Sequence, residues 1–172
     1  GRWNGLRGAV TLGNGTTGIT GVVNSSNSLV GSTANDQVGI RGIIKLTNGN
    51  YVISTPYWDN GVIADAGAVT LCNGMAGTTG TISSSNSLVG SKANDWIGYG
   101  AIQGANYVIP LSNGNYVVGS PYWHNGAAAQ VGAATWGDGN TGITGIISSA
   151  NSLIGNAADD FTAYRGITAL TN

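Results

Sequence analysis

One histidine and seven aspartates, with no glutamate, make up the acid–base inventory of this 172-residue chain. His124 stands in the run Tyr122-Trp123-His124-Asn125-Gly126. The matching run earlier in the chain, Tyr57-Trp58-Asp59-Asn60-Gly61, has an aspartate at that place. A Ser-His-Asp triad could be drawn, since serine is plentiful. No strained nucleophile-elbow motif accompanies it, and a position that alternates between Asp and His is not a required base. Asp159-Asp160 is the best paired carboxylate, but neighbours on a strand face opposite ways. Its second member recurs as Asp36 and Asp95, which points to a turn cap accepting backbone N–H groups. Gly13-Asn14-Gly15-Thr16-Thr17-Gly18 and Gly137–Gly142 both match G-x-G-x-x-G. That fingerprint needs a helix directly after it to hold a pyrophosphate. Strand-like sequence follows both, so they read as turns. The single Cys72 permits no internal disulfide and no thiolate cluster. No catalytic residue, metal or cofactor is expected.

The aromatic residues carry a stronger suggestion. Tyr57-Trp58 and Tyr122-Trp123 each precede an Asn-Gly loop, beside Asp59-Asn60 and His124-Asn125, and Trp3-Asn4-Gly5 looks like a shortened third copy. Sugars are held by an aromatic face against their C–H groups, with Asn, Asp or His meeting the hydroxyls. This is the usual apolar platform with a few placed polar groups. Tyr57, Trp58, Asp59, Asn60, Tyr122, Trp123, His124, Asn125 and Trp3 are therefore the candidate carbohydrate-binding set. The same rings could instead pack between repeats: exposed Trp rings would mean binding, buried ones scaffold. Trp96, which stands where the other copies have Gln37 and Phe161, reads as a packing residue. So does Trp136, which stands where they have Leu12 and Leu71.

The elements that must position these residues are strands. Only 8% of residues are charged, against ~25% in an ordinary globular domain. Helix surfaces are normally solvated by Glu, Lys and Arg, whereas Val, Ile, Thr, Tyr and Trp between Gly and Asn turns read as all-β. A net charge of -1 leaves no basic footprint for nucleic acid or acidic lipid. An apolar content of 41% argues against disorder. No apolar run of ~18 residues exists, so no membrane insertion is expected. A start at Gly-Arg-Trp-Asn would suit a processed chain or a piece of a longer one.

The chain repeats itself. Gly8-Ala-Val-Thr-Leu12 returns as Gly67–Leu71 and as Gly132-Ala-Ala-Thr-Trp136; Asn27–Ser32 returns as Asn86–Ser91 and Asn151–Asn156. The offsets are 59 and 65, and the longer interval arises because Val38–Asn48 corresponds to Ile97–Asn113, with six extra residues. One unit runs from Arg41 to Tyr99. Gly42–Leu46 is a strand, Thr47–Asn50 a hairpin turn of the Asn-Gly kind, Tyr51–Thr55 a second strand and Ala66–Leu71 a third. Thr78–Ser83 and Leu88–Val89 offer a fourth. Four short strands per unit suit one blade of a β-propeller.

The pattern formed by Leu46–Gly61, Ala66–Thr70 and Asn86–Ser91, repeated at Leu111–Gly126, Gly132–Thr135 and Asn151–Asn156, resembles the tandem repeats of filamentous-haemagglutinin-like bacterial adhesins. More distantly it is similar to FG-GAP blades of the integrin α-subunit propeller. The FG-GAP calcium turn is not reproduced, because Thr47–Asn50 and Ser112–Asn115 contain no carboxylate and a calcium loop needs several oxygen ligands. The resemblance implies a secreted or cell-surface, non-enzymatic adhesin or lectin whose partner is a cell-surface glycan or glycoprotein. The alternative is a structural, self-assembling repeat module with no ligand. The expected organisation is one repeat domain over 1–172: a partial blade 1–40, blades 41–99 and 100–164, and a closing strand 165–172. Three blades are too few for a ring of ~4–8. A homodimer completing about six blades is therefore expected, each terminal strand closing the partner's blade; a three-fold β-prism or β-trefoil is the alternative fold.

Overall fold

Asparagine and glycine cut the chain into strands of two to five residues, and these assemble the same way in each repeat. The structure is a computed structural model and describes residues 3–100 and 107–170. A single turn, Trp3–Leu6, in which Asn4 and Gly5 are left-handed, precedes β1 (Ala9–Val10) and β2 (Leu29–Val30). The next repeat supplies β3 (Ile43–Lys45), β4 (Tyr51–Thr55), β5 (Ala68–Cys72), β6 (Gly80–Thr81) and β7 (Leu88–Val89). The last supplies β8 (Val108–Pro110), β9 (Tyr116–Ser120), β10 (Ala133–Gly137), β11 (Gly145–Ile146) and β12 (Leu153–Ile154). Two complete blades, β3-β4-β5-β7 and β8-β9-β10-β12, are antiparallel throughout. The partial blade contributes β1 and β2 as an antiparallel pair. The protein is thus all-β with blade-like sheets of short strands, and none of its sheets is closed.

The hairpin between β3 and β4 forms as its sequence requires. Asn48 Oδ1 accepts the Asn50 N–H, Gly49 takes a φ of 91°, and the Leu46 N–H donates to Asn50 O. The stretch after β5 holds two strands rather than one. β7 completes its own blade, whereas β6 pairs in parallel with β2 of the preceding repeat. β11 likewise pairs in parallel with β7. Asn86 makes the break, taking the Ser83 N–H on Oδ1 and donating Nδ2 to Thr81 O. Asn27 and Asn151 do the same in their repeats. The serine after each asparagine pairs with a threonine on the adjacent strand: Thr11–Ser28, Thr70–Ser87 and Thr135–Ser152, at 2.6–2.7 Å. The repeated Asn-Ser-Leu motif is therefore a fold determinant.

Both faces of the middle blade are covered. Along β4, Tyr51 and Ile53 enter a core shared with Leu29, Val38 and Trp58, while Val52 enters a second core shared with Tyr116, Val118 and Trp123. All five β4 residues are buried. Each core lies between adjacent repeats, so repeat stacks on repeat. A sheet buried on both faces needs few charges, which accounts for the composition.

Residues 165–170 form no strand within the single chain; the closing strand read at 165–172 is expected to pair with a second copy. A strand requires a partner for its backbone groups, and no strand is paired with this segment among the described residues. Residues 171–172, and residues 101–106 within the unit 100–164 and the Ile97–Asn113 correspondence, lie outside the described ones.

Candidate functional site

Each Tyr-Trp pair follows a five-residue strand and is turned by proline. Pro56 and Pro121 hold the second position of tight turns, a place their fixed φ suits, closed by Trp58 N–H to Thr55 O and Trp123 N–H to Ser120 O, both 3.2 Å. The turn sends the two rings of each pair in different directions. Trp58 and Trp123 go inward and are each 3% exposed, within the two inter-repeat cores. The Trp58 indole donates to Ser32 Oγ of the preceding repeat at 3.2 Å, whereas the buried Trp123 indole N–H has no acceptor within reach among the described residues. These two rings are packing elements. Trp3, half-buried, occupies the matching place: its carbonyl accepts the Gly8 N–H as Trp58 and Trp123 accept from Gly67 and Gly132.

The polar residues beside them shape the loop. Asn60 and Asn125 close two-residue turns by paired backbone bonds to Ile63 and Ala128, and Asn60 Nδ2 reaches Gly90 O. Asp59 Oδ1 accepts the Asp65 N–H at 2.9 Å. His124 turns its Nδ1 to Asp95 Oδ1 at 2.8 Å.

The recurrent aspartates are caps that also join repeats. Asp36 Oδ2 accepts from the N–H groups of Ser32 and Thr33, and its Oδ1 accepts the Asp59 N–H across the repeat boundary. Asp95 does the same for Ser91, Lys92 and His124. Burial raises the Asp36 carboxyl above its ordinary value, against the pull of those bonds. Asp65 is raised as well, by burial and by neighbouring Asp59, while the Trp96 indole works the other way. Asp160 caps Asn156 and Ala157 but lies exposed.

Tyr57 and Tyr122, the outward rings, belong to a row the sequence did not assemble. Tyr57, Tyr99, Tyr122 and Tyr164 follow one another at centroid spacings of 6.3, 6.3 and 6.4 Å. Trp96 bridges Tyr99 and Tyr122 at 6.0 and 5.4 Å, and Phe161 bridges Tyr122 and Tyr164 at 6.1 and 5.4 Å. Most of the contacts are edge-on or tilted, as ring quadrupoles favour. The Arg41 guanidinium lies 4.2 Å from the Tyr99 centroid, a cation–π arrangement, and donates to Tyr57 Oη at 3.3 Å. The signal was present in Trp96-x-x-Tyr99 and Phe161-x-x-Tyr164, an aromatic pair recurring at one place in two repeats. The expectation that Trp136 packs is overturned: it is 52% exposed. Its counterpart Leu71 is covered by the following repeat, and no described repeat follows Trp136.

Neither G-x-G-x-x-G run leads into a helix. Both close as tight turns, with Gly18 N–H to Asn14 O and Gly142 N–H to Asp138 O. The Asp138 carboxylate takes the N–H groups of Asn140 and Thr141. Among the described residues, grooves of about 300 and 290 Å³ open on the surface. The first is lined in part by Val10, Ile43, Lys45 and Tyr51, the second by amides and hydroxyls such as Asn73, Asn86 and Asn140 with no aromatic ring. Neither gathers two carboxylates or a nucleophile beside a base. Cys72 is buried, and burial pushes its thiol up to about 11.

A family model described as "Repeat of unknown function (DUF5650)" matches residues 2–40, 45–99 and 110–164. The chain belongs to this family. The three matches correspond to the three structural repeats, and they carry neither the haemagglutinin-like nor the FG-GAP likeness. Searches of curated proteins and of solved structures found no match.

Proposed function

We propose that this protein is a non-enzymatic structural repeat module whose working property is the rigid stacking of its blades. The observation that carries this reading is the burial of Trp58 and Trp123 between repeats. Asp36 and Asp95, which reach from one repeat to the next, reinforce it. The residues that looked like a sugar platform are used to hold one blade against another. A glycan-array screen of the folded chain tests the reading, and no binder is expected. A specific glycan ligand would overturn it.

A second reading is favoured by the tyrosine row. Half-buried Tyr57, Tyr99 and Tyr122 beside the exposed Arg41 offer ring faces and a cation to a carbohydrate, as in a secreted or cell-surface adhesin. On this reading an array hit is lost in Tyr99→Ala while the fold is kept.

A further inference from the structure

Along the tyrosine row the middle repeat meets the last through Tyr99 and Tyr122. Their ring centroids lie 6.3 Å apart and their planes are 29° from parallel, so face is set toward face. The pairs within each repeat are disposed differently. Tyr57 and Tyr99 are inclined at 47°, and Tyr122 and Tyr164 stand edge to face at 86°. Local structure places both rings of the stacked pair. The Tyr99 N–H closes a tight turn on Trp96 O at 2.9 Å, and the Arg41 guanidinium lies 4.2 Å from the Tyr99 centroid. Tyr122 follows Pro121 in the turn closed by Trp123 N–H and Ser120 O. Trp96 stands edge-on to both tyrosines, at 6.0 and 5.4 Å, a favourable disposition of ring quadrupoles.

Phenols that face one another are set for one-electron chemistry. A phenol that loses an electron and its hydroxyl proton becomes a phenoxyl radical. Its unpaired electron occupies p lobes above and below the ring, in part on the carbons ortho to oxygen. Two such radicals bond ortho carbon to ortho carbon when lobe meets lobe. A stacked pair presents those lobes to each other, whereas an edge-on pair presents a C–H edge to a face. Tyr99 and Tyr122 are half-buried, open to a small oxidant. Rotation about their side-chain bonds, a fast motion at exposed positions, closes the remaining gap.

We propose that Tyr99 and Tyr122 form a dityrosine cross-linking site that joins the middle repeat to the last. The oxidant is a one-electron system of the haem-peroxidase class acting with hydrogen peroxide. Each phenol gives up one electron and one proton, and a carbon–carbon bond forms between the ortho positions. The hydrogen on each bonded carbon then moves to the ring oxygen, which restores both phenols. Hydrogen peroxide takes the two electrons and two protons and leaves as two waters. One such link per chain is expected. At the boundary between the first and middle repeats the counterparts are Ile40 and Tyr57, and an aliphatic side chain cannot couple in this way. The link constrains the unfolded chain, as a disulfide does, and fixes one repeat on the next. That role rests on the structural-module reading; the coupling itself does not.

Oxidation of the 172-residue chain at micromolar concentration tests it, by a haem peroxidase with hydrogen peroxide and separately by light-activated ruthenium tris-bipyridine with persulfate. Dityrosine fluorescence is expected to appear while the chain keeps its monomer mass on a denaturing gel. Peptide mapping is expected to return one linked pair, Tyr99 to Tyr122, lighter by two hydrogens. The map separates this loss from oxygen added at the exposed Met75, a common site type for sulfoxide formation. Tyr99→Phe and Tyr122→Phe should each abolish the signal and Tyr164→Phe should keep it, with circular dichroism verifying each fold. The treatment should raise the urea midpoint of the wild type and not that of Tyr99→Phe. Three outcomes overturn the proposal and leave the structural-module reading standing: no dityrosine with either oxidant, links that map to other tyrosines or between chains, or coupling that leaves the midpoint unchanged. A specific glycan ligand overturns that reading instead, and the peptide map still decides the coupling.

Discussion

Asp95 holds His124 of the following repeat by two atoms at once, its Oδ1 accepting the His124 backbone N–H at 2.9 Å while lying 2.8 Å from the imidazole Nδ1. The aspartate is fully buried and its other oxygen is spent on the Ser91 and Lys92 N–H groups. Replacing it with alanine strands three backbone donors. Hydrogen bonds to a charged group contribute roughly 1.5–3 kcal/mol each, and an unpaired buried donor costs ~1–3 kcal/mol. Asp95→Ala is therefore expected to lose roughly 2–4 kcal/mol of unfolding free energy in urea titration. His124→Ala keeps the backbone donor and should lose about 1 kcal/mol. Asp160→Ala removes the same motif residue where it is exposed and reaches no further repeat, so its cost should stay below about 1 kcal/mol. Equal losses for Asp95→Ala and Asp160→Ala would show that the inter-repeat bond contributes nothing.

The tryptophans give a second measurement. Large-to-small changes of a buried tryptophan cost ~3–5 kcal/mol, and a domain of this size has ~5–15 kcal/mol in all. Trp58→Ala combined with Trp123→Ala is expected to abolish cooperative unfolding. The phenylalanine variants should separate the two sites. Trp58→Phe loses the bond to Ser32 Oγ, whereas Trp123→Phe removes a buried N–H that has no acceptor among the described residues. Trp123→Phe should be the milder by about 1 kcal/mol. The reverse order in denaturant midpoints would contradict the assigned packing.

How much of this could be read from the residues divides along physical lines. Strand positions, hairpins and the aspartate caps were legible, because Asn-Gly and Gly-Ala-Val act locally and recur. The parallel pairing of β6 on β2 was not legible, because it joins residues about fifty apart and depends on Asn86 folding the chain back. The direction of each Tyr-Trp pair was equally hidden. The two rings are neighbours in sequence, and only the proline turn decides that Trp58 goes in and Tyr57 out. The tyrosine row needed the stacking of repeats to bring Tyr57, Tyr99 and Tyr122 together.

Titration behaviour should lean to the acid side. Burial raises Tyr51 and Tyr116 to about 12 and Cys72 to about 11. Folding holds these groups in their neutral forms, so the stability they contribute is complete below their ordinary values, near pH 9–10. It is lost as pH rises from there toward 12. Asp36 and Asp65 are also raised, so protonating them on acidification favours the folded state. Asp138 is lowered by the N–H groups of Thr141 and Asn140. Its contribution is present above the ordinary carboxylate value and is lost as pH falls through its depressed one. Denaturant midpoints should fall more steeply from pH 9 to 12 than from pH 6 to 4. Tyrosinate absorbance should show Tyr51 and Tyr116 titrating late, until the fold gives way. A symmetric profile with Tyr51 and Tyr116 titrating near their ordinary value would refute their buried placement.

Gly67 offers the sharpest test of the repeat geometry. It opens the Gly-Ala-Val-Thr run, has a φ of 78°, and a Cβ built on it would stand 2.2 Å from the Ile97 nitrogen. Gly8 and Gly132 meet Val38 and Thr162 in the same way, at 2.3 and 2.2 Å. The close approach lets β5 begin against the segment that follows the Asp95 cap, where the Ile97 N–H donates to Ala66 O. A side chain there would push apart two backbones, which cannot give way as a flexible side chain can. Gly61 provides the control: its φ is 66°, yet a Cβ on it meets nothing within 4 Å. Both alanine variants carry the left-handed backbone penalty of roughly 1–2 kcal/mol, so their difference isolates the contact. Gly61→Ala should fold with about that loss, and Gly67→Ala should fail to give a cooperative transition, the outcome associated with changes above ~4–5 kcal/mol. Thermal unfolding followed by circular dichroism reads both, and a Gly67→Ala variant as stable as Gly61→Ala would disprove the close approach of β5 to Ile97.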